Sequence, residues 1–105
     1  MSPAQGEIWW AELPDAGRRP VMVVTRTRAI GVLRTILVAP ITRTVRGILT
    51  EIPLSSDDGL PTPCAATFDT LQPVPRWALT ERAGAAEVGR HSAIGERLRA
   101  MADCG

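Results

Sequence analysis

The sequence predicts a mostly β domain of the α+β class, in which a small, strongly curved antiparallel sheet or partial barrel carries one C-terminal helix. The first observation behind this prediction is a series of short apolar runs, separated by turns rich in proline and glycine. The second is a change to helical apolar spacing in the last segment. A length of 105 residues is enough for one modest core and too short for two, so residues 1–105 are interpreted as a single domain.

The first two strands are predicted on either side of a loop at Pro14–Gly17. Glu7–Leu13 is rich in strand-forming residues, and its neighbours Trp9 and Trp10 should face opposite sides of the sheet. One tryptophan belongs to the core, and the other either packs at the lip of the barrel or offers a platform for a stacked base. The apolar run in Val21–Thr25 is typical of a strand that is buried on both faces.

Arg19 is the first candidate for a functional residue. A proline disfavours the helical region for the residue before it, so Arg19 should be extended in front of Pro20. Proline is tolerated at the first residue of a strand, where its missing N–H costs no ladder hydrogen bond. The sequence therefore predicts a cation that is held still at the mouth of a core strand.

The remaining strands are shorter and follow at regular intervals. We predict them at Thr35–Ala39, Ile48–Leu54, Cys64–Phe68 and Leu79–Ala83, with a short extended piece at Leu71–Val74. Pro40 either ends the third strand or sits at an edge, and Pro73 confines its own segment to an edge or a bend. The cluster of turn residues in Ser55–Pro63 predicts a flexible loop.

The C-terminal segment has helical spacing. Ile94, Leu98 and Met101 lie at positions i, i+4 and i+7, and charged residues occupy the other faces. This pattern predicts a helix from about Glu87 to Ala102.

Arginine is concentrated in the first half of the chain. All 12 basic residues are arginines, and seven lie in residues 18–46, the arginine-rich segment, where no acidic residue occurs. The seven are Arg18, Arg19, Arg26, Arg28, Arg34, Arg43 and Arg46. A local charge of +7 is thus hidden in a net charge of +1. Because arginine pairs with phosphates and stacks on bases, this segment is either a nucleic-acid surface or a solvated cationic face without a function.

Several other classes of protein are not indicated. No apolar run approaches the roughly 18–20 residues of a membrane helix. The N-terminus shows no export signal, so we expect a cytoplasmic protein without a membrane partner. Cys64 and Cys104 have neither the number nor the spacing of a disulfide framework or a zinc site, and are interpreted as reduced thiols.

The residues usually used for catalysis are also scarce. His91 is the single histidine, and its place on the predicted helix favours a surface or packing role. Asp57 and Asp58 fit a solvated turn better than a metal site, and no other carboxylates cluster along the sequence. We therefore expect no metal and no cofactor, and any catalysis must use arginines, hydroxyl groups and isolated carboxylates.

Four short motifs follow one another along the chain: Gly6–Trp10, Arg19–Val24, Val38–Thr42 and Phe68–Val74. Each is weak alone, but the ordered set is specific. In this order they resemble the MazF/PemK family of toxin endoribonucleases, the toxin halves of bacterial toxin–antitoxin pairs. The resemblance extends from Gly6 to Met101, which is nearly the whole chain.

This resemblance implies a homodimer with an SH3-like curved sheet and a C-terminal helix, a fold that CcdB-type toxins share. It implies metal-independent, sequence-specific cleavage of single-stranded RNA. The catalytic arginine of the family falls on Arg19 and its catalytic threonine on Thr42. Its base-contacting pair falls on Asp69 and Thr70, although relatives often have an amide residue at the second position. The Pro14–Gly17 loop, which covers the RNA in family members, is shorter here.

The chemistry of RNA fits these residues. The 2′-OH of RNA attacks the adjacent phosphorus, so the enzyme must align three atoms, stabilise negative charge and move two protons. Arg19 would stabilise the charge and protonate the leaving oxygen, and Thr42 would bind the phosphate. Thr42, water and the phosphate itself all remain candidates for the general base. Asp69 would accept from a base edge.

Two kinds of partner follow from the same interpretation. We expect Arg18, Arg26 and Arg43 to guide the RNA backbone. A cognate, MazE-like antitoxin should bind the same groove through an acidic, partly disordered segment that folds on docking.

Two alternatives remain at this point. A non-enzymatic, CcdB-like poison of DNA gyrase would share the fold, but such toxins act through a C-terminal end with an aromatic residue, and this chain has none after Trp77. An SH3-like RNA-binding module without catalysis would share the fold and the charge.

Overall fold

The computed structural model describes residues 3–14, 17–48, 50–55, 58–60, 62–86, 93–96 and 98–99. In this part of the chain the strands are β1 (Glu7–Leu13), β2 (Gly17–Val23), β3 (Thr35–Thr42), β4 (Glu51–Leu54), β5 (Cys64–Thr67), β6 (Gln72–Pro75) and β7 (Leu79–Ala85). A short helix, α1 (Thr27–Ile30), lies between β2 and β3. The strands form one sheet in the order β4-β5-β3-β2-β1-β7, with β6 also paired to β3. Every pairing is antiparallel.

β3 is the central strand, and it changes neighbours along its length. Residues 35–38 pair with β6, whereas Ile41 and Thr42 pair with β5. Pro40 lies between these two pairings, so its missing N–H falls near a gap in the ladder on that side of the strand. The strand therefore does not end at Pro40 but continues to Thr42, and the sheet curls where its neighbours change.

The hairpin of β1 and β2 contains the two arginines that precede Pro20. β2 begins at Gly17, earlier than predicted, so Arg18 and Arg19 are strand residues that face β1. Gly17 has a φ of +70°, a left-handed conformation that favours glycine and lets the chain turn back directly after β1. The extended backbone that Pro20 predicts for Arg19 is confirmed.

The fourth strand is shorter than predicted. β4 is Glu51–Leu54, and Ile48, the predicted first residue, lies in the preceding loop with 41% of its surface exposed. The loop turns at Gly47, whose φ is +67°. The backbone N–H groups of Arg46 and Gly47 bind the side chain of Glu51 instead of a neighbouring strand.

The C-terminal residues that the structure describes are helical at 93–96 and 98–99. Ile94 is buried in the core and Leu98 packs against it, as the helical spacing predicted. Both predicted ends of the helix, at Glu87 and Ala102, lie outside the described residues, as do His91 and Met101.

The sheet is buried on both faces. Successive residues of β2 pack into two different clusters: Met22 joins the cluster that contains Ile94, whereas Val21 and Val23 join the cluster that contains Trp9. This confirms the prediction from the apolar run. Of the two neighbouring tryptophans, Trp9 is in the core and Trp10 is partly exposed. None of the described helices is long and apolar enough to cross a membrane.

Candidate functional site

Arg19 and Thr42 line the same pocket, which has a volume of about 490 Å³. The register of β2 against β3 explains why they meet. The pairing of β2 with β3 begins at Val21 and Pro40, so Arg19 and Thr42 lie two residues beyond it, at the same end of the two strands. A guanidinium and a hydroxyl from neighbouring strands can therefore act on one group in the pocket.

The pocket combines apolar walls with a cationic opening. Its lining residues are Trp10, Arg19, Pro20, Ile41, Thr42, Arg43, Thr44, Leu60, Thr62 and Cys64. Arg19 and Arg43 supply two positive charges, and none of the described lining residues is acidic. Apolar walls reduce the screening of charge by water, so this arrangement favours an anion such as a phosphate.

The hydroxyl of Thr42 has a defined position at the end of β3. Its Oγ1 accepts a hydrogen bond from the backbone N–H of Thr44 at 3.1 Å. This local bond turns the chain after the strand and fixes the rotation of the side chain. Because Oγ1 accepts this bond, the O–H of Thr42 is left as a donor, which suits a phosphoryl oxygen.

Trp10 forms one wall of the pocket and is supported from outside by Arg18. The guanidinium carbon of Arg18 lies 4.9 Å from the centre of the Trp10 ring. Arg18 also forms an ion pair with Glu81, with 2.7 Å between Nη2 and Oε2. Both charged side chains are more than half exposed, and such pairs contribute only about 0–1 kcal/mol. Arg18 therefore contacts Trp10, a residue of the pocket wall, but does not line the pocket itself.

Asp69 lies on a one-turn 3-10 helix after β5, outside the lining of the pocket. Its Oδ2 accepts hydrogen bonds from Nη2 of Arg46 at 3.1 Å and from Oγ1 of Thr50 at 2.9 Å. Thr70 is exposed on the same turn. Arg26 is exposed just before α1, also away from the pocket.

The structure thus brings together three of the predicted site residues. These three, Arg19, Thr42 and Arg43, line the pocket. Arg18 contacts the pocket residue Trp10. The other predicted residues do not line the pocket: Arg26, Asp69 and Thr70. The loop between β3 and β4 connects the two regions, because Arg43 lines the pocket and Arg46 contacts Asp69.

Sequence reasoning missed several pocket residues. Leu60 and Thr62 come from the predicted flexible loop, where no periodic pattern shows which side chains pack inward. Cys64 was interpreted only as a reduced thiol, yet it is a buried free thiol that lines the pocket. Burial raises the pKa of Cys64, and the charge of Asp58 acts in the same direction, whereas Arg43 lowers it. The net rise keeps this thiol protonated at neutral pH.

Glu51 was also missed, because a charged residue in a predicted strand is usually on the solvent side. Its side chain is 1% exposed. Burial alone would raise the pKa of Glu51, but two backbone N–H groups and the side chain of Arg46 donate to it and lower the pKa below its ordinary value. Glu51 is therefore a buried, partnered carboxylate.

The described residues contain no group of three histidine, cysteine or acidic side chains that could hold a metal ion. Asp58 is buried, and its Oδ2 accepts the backbone N–H of Ser55 at 2.9 Å, which fits a turn. Asp57 lies outside the described residues.

Comparison with known proteins identifies the family. Residues 4–102 match the family described as PemK-like, MazF-like toxin of type II toxin–antitoxin system. This chain belongs to that family. A relative from Mycobacterium tuberculosis (strain ATCC 25618 / H37Rv), named probable endoribonuclease MazF5, is 41% identical over 103 residues, which cover 97% of this chain and 94% of the relative.

Solved structures agree with this assignment of a MazF-like toxin. The Mycobacterium tuberculosis toxin MazF-mt6 is 33% identical and has a TM-score of 0.84, covering 92% of this chain and 96% of that chain. An endoribonuclease in complex with its cognate antitoxin from Mycobacterial species also has a TM-score of 0.84, covering 99% and 98%. Its identity is 18%, so this second likeness shows the fold alone. The predicted fold, a strongly curled antiparallel sheet of the MazF type, is confirmed.

Proposed function

We propose that this MazF-like toxin is an endoribonuclease that cleaves single-stranded RNA at specific sequences without a metal. The observation that carries the proposal is the convergence of Arg19 and Thr42 on one pocket whose described lining residues include no acid. The names of its relatives support the activity, since the relative that is 41% identical is a probable endoribonuclease.

The reaction uses the nucleophile that RNA itself provides. The 2′-oxygen forms a bond to the adjacent phosphorus and the bond from phosphorus to the 5′-oxygen breaks, which leaves a 2′,3′-cyclic phosphate and a 5′-hydroxyl. Negative charge develops on the phosphoryl oxygens, and donors that already point at this position lower the barrier. Arg19 and the hydroxyl of Thr42 are such donors, and Arg43 adds positive charge at the rim of the pocket.

The two protons have different routes. The leaving 5′-oxygen takes a proton from the guanidinium of Arg19, which regains one from the group that accepts the proton of the 2′-OH. Thr42 is a poor acceptor for the proton of the 2′-OH, because a neutral hydroxyl group is a very weak base. The buried Cys64 thiol stays protonated. Water or a phosphate oxygen therefore takes this proton.

Recognition of the rest of the RNA uses residues around the pocket. Arg18 and Arg26 attract the phosphate backbone, while the exposed carboxylate of Asp69 accepts hydrogen bonds from a base. Thr70, beside Asp69, adds a hydroxyl to the same surface.

The partners follow from the same surface. The toxin acts as a homodimer on RNA in the cytoplasm. A cognate antitoxin of the MazE type inhibits it by laying an acidic segment along the arginine-rich segment. A solved structure with the same fold contains an endoribonuclease with its cognate antitoxin, which supports a partner of this kind.

The direct test is cleavage of a defined single-stranded RNA by the purified protein in the presence of EDTA. We expect cleavage at a limited set of sequences, with products that carry 5′-hydroxyl ends. Intact RNA would overturn the proposal. Bound but uncut RNA would then indicate a non-catalytic RNA-binding module, and inhibition of DNA gyrase would indicate a CcdB-like poison.

A further inference from the structure

Arg46 connects a buried carboxylate to the exposed carboxylate of Asp69. We infer that Glu51 and Arg46 are positioning residues that hold Asp69 for reading a base, so that the base preference of cleavage depends on both. This inference rests on the proposed function, and it adds the means by which Asp69 is held and the class of base that it accepts. We call Glu51, Arg46 and Asp69 the carboxylate bridge.

The inner end of the carboxylate bridge is fixed in the core. Oε1 of Glu51 accepts the backbone N–H groups of Arg46 at 2.9 Å and of Gly47 at 3.1 Å. The left-handed conformation of Gly47 lets two successive N–H groups approach one oxygen. Oε2 accepts Nε–H of Arg46 at 3.2 Å. Glu51 therefore holds both the backbone and the side chain of Arg46.

The outer end is the carboxylate of Asp69, which is 41% exposed. Both of its donors, Nη2 of Arg46 and Oγ1 of Thr50, bind the same oxygen, Oδ2. Within the described residues, Oδ1 accepts no hydrogen bond. The carboxylate is thus held from one side and has one oxygen available to solvent or a ligand.

This arrangement favours one chemical class of base. A carboxylate oxygen only accepts hydrogen bonds, so it pairs with the amino groups of cytosine, adenine and guanine. Uracil has no amino group, and its single N–H lies between two carbonyl oxygens, which a carboxylate repels. We therefore expect Asp69 to prefer an amino-bearing base over uracil at the position that it reads.

The carboxylate bridge also accounts for the charge of Arg46. The place of Arg46 in the arginine-rich segment suggests a cation that binds phosphate. Its guanidinium is instead paired with two carboxylates, those of Glu51 and Asp69. Its role is to set the distance between Asp69 and the pocket, since the same loop carries Arg43 and Thr44 in the pocket wall.

The test begins with cleavage of a randomised single-stranded RNA, in which sequencing of the 5′-hydroxyl ends gives the base preference at every position. We compare the wild type with Asp69→Asn, Arg46→Met and Glu51→Gln. Glutamine keeps an oxygen for the backbone N–H groups but sets an NH₂ group against Nε–H of Arg46, so Glu51→Gln breaks the side-chain link selectively. Arg99→Met is the matched control, because it removes an exposed arginine that takes no part in the hydrogen bonds of the bridge.

The wild type should prefer an amino-bearing base at one position, and Asp69→Asn should lose that preference. Arg46→Met and Glu51→Gln should reduce the preference at the same position by roughly tenfold, the effect of losing a charged hydrogen bond. Most of the loss should appear in KM rather than in kcat, and Arg99→Met should keep the wild-type preference. Retention of that preference by Arg46→Met would overturn the inference. A wild-type preference for uracil, at the RNA position whose preference Asp69→Asn changes, would overturn it too.

A second measurement needs neither activity nor a variant. In the wild-type protein, hydrogen exchange of the Arg46 Nε–H, followed by NMR, should be slower than that of the exposed Arg99 by about tenfold or more, because a bonded N–H must open before it exchanges. Equal rates would overturn the carboxylate bridge even if a variant failed to fold. Slow exchange in a protein that cleaves no RNA would instead reject the proposed function and leave the bridge in place.

Discussion

Arg19 and Thr42 lie at the same end of two neighbouring antiparallel strands, two residues beyond the pair of Val21 with Pro40, and both line one pocket. Neither residue is unusual by itself. Their convergence depends on β3 continuing past Pro40 and on β2 beginning before Pro20. The pocket is therefore a product of strand pairing, and its two donors can be tested separately.

Replacement of Arg19 by alanine should reduce the cleavage rate about 100-fold or more, because the loss of one preorganised donor costs roughly 3 kcal/mol in the transition state. Initial rates on a defined RNA in EDTA provide the measurement. Arg34→Ala is a suitable control, since Arg34 is an exposed arginine of the same segment that does not line the pocket. A near-normal rate for Arg19→Ala would contradict the assignment.

Thr42 can be tested with two substitutions. Thr42→Val keeps the shape of the side chain but removes the hydroxyl, and we expect roughly a tenfold loss of rate for one lost hydrogen bond to a charged group. Thr42→Ser keeps both the donor and the acceptor for the N–H of Thr44, so it should recover most of the rate. Equal losses for the two variants would indicate that packing, and not the hydroxyl, is what matters.

The ion pair of Arg18 with Glu81 predicts a gain of RNA binding. Glu81→Gln removes the carboxylate that lies 2.7 Å from Arg18, so the arginine becomes available to a phosphate. The affinity for single-stranded RNA should rise, and its logarithmic salt dependence should steepen by about 0.7 for one more phosphate contact. Titrations at several salt concentrations measure this slope. An unchanged slope would show that Arg18 does not reach the RNA.

The pH dependence of stability should report on Glu51. Its pKa in the folded protein lies below the ordinary value of 4.5, because the donors around it outweigh the effect of burial. The stabilisation is therefore complete above about pH 4.5 and is lost as the pH falls through the lowered pKa. Thermal unfolding followed by circular dichroism should show a smaller acid dependence for Glu51→Gln than for the wild type. Parallel curves would contradict this prediction.

Cys64 should be unreactive despite lining the pocket. Burial raises its pKa, and the thiolate is the species that alkylating agents attack. At neutral pH, iodoacetamide should modify Cys64 far more slowly in the folded protein than after unfolding, as measured by mass spectrometry of the peptide that contains it. Equal rates in the two states would show that the pocket opens to the reagent.

Much of the fold could be predicted because its signals are local. The apolar run from Val21 indicated a strand buried on both faces, and the spacing of Ile94 and Leu98 indicated a helix. The placement of Arg19 and Thr42 required the family resemblance in addition, since no local pattern gives the register between two strands.

The rest of the site depends on long-range contacts. Glu51 falls within the predicted strand Ile48–Leu54, where a charged residue usually faces solvent, but Ile48 lies in a loop, and the loop folds Arg46 back onto the carboxylate. Leu60 and Thr62 reach the pocket from a segment that composition identifies only as a loop. In each case the position is decided by a contact between distant residues, which sequence periodicity does not record.

Arg18 and Arg46 are both paired with carboxylates of this chain, which changes the charge that an acidic inhibitor can bind. Arg18 already forms an ion pair with Glu81, and Arg46 forms ion pairs with Glu51 and Asp69. Docking there exchanges one anion for another, so the net gain in charge pairing is smaller than the seven arginines of the arginine-rich segment suggest. Tight inhibition of this toxin must therefore draw on apolar contact as well as on opposite charge.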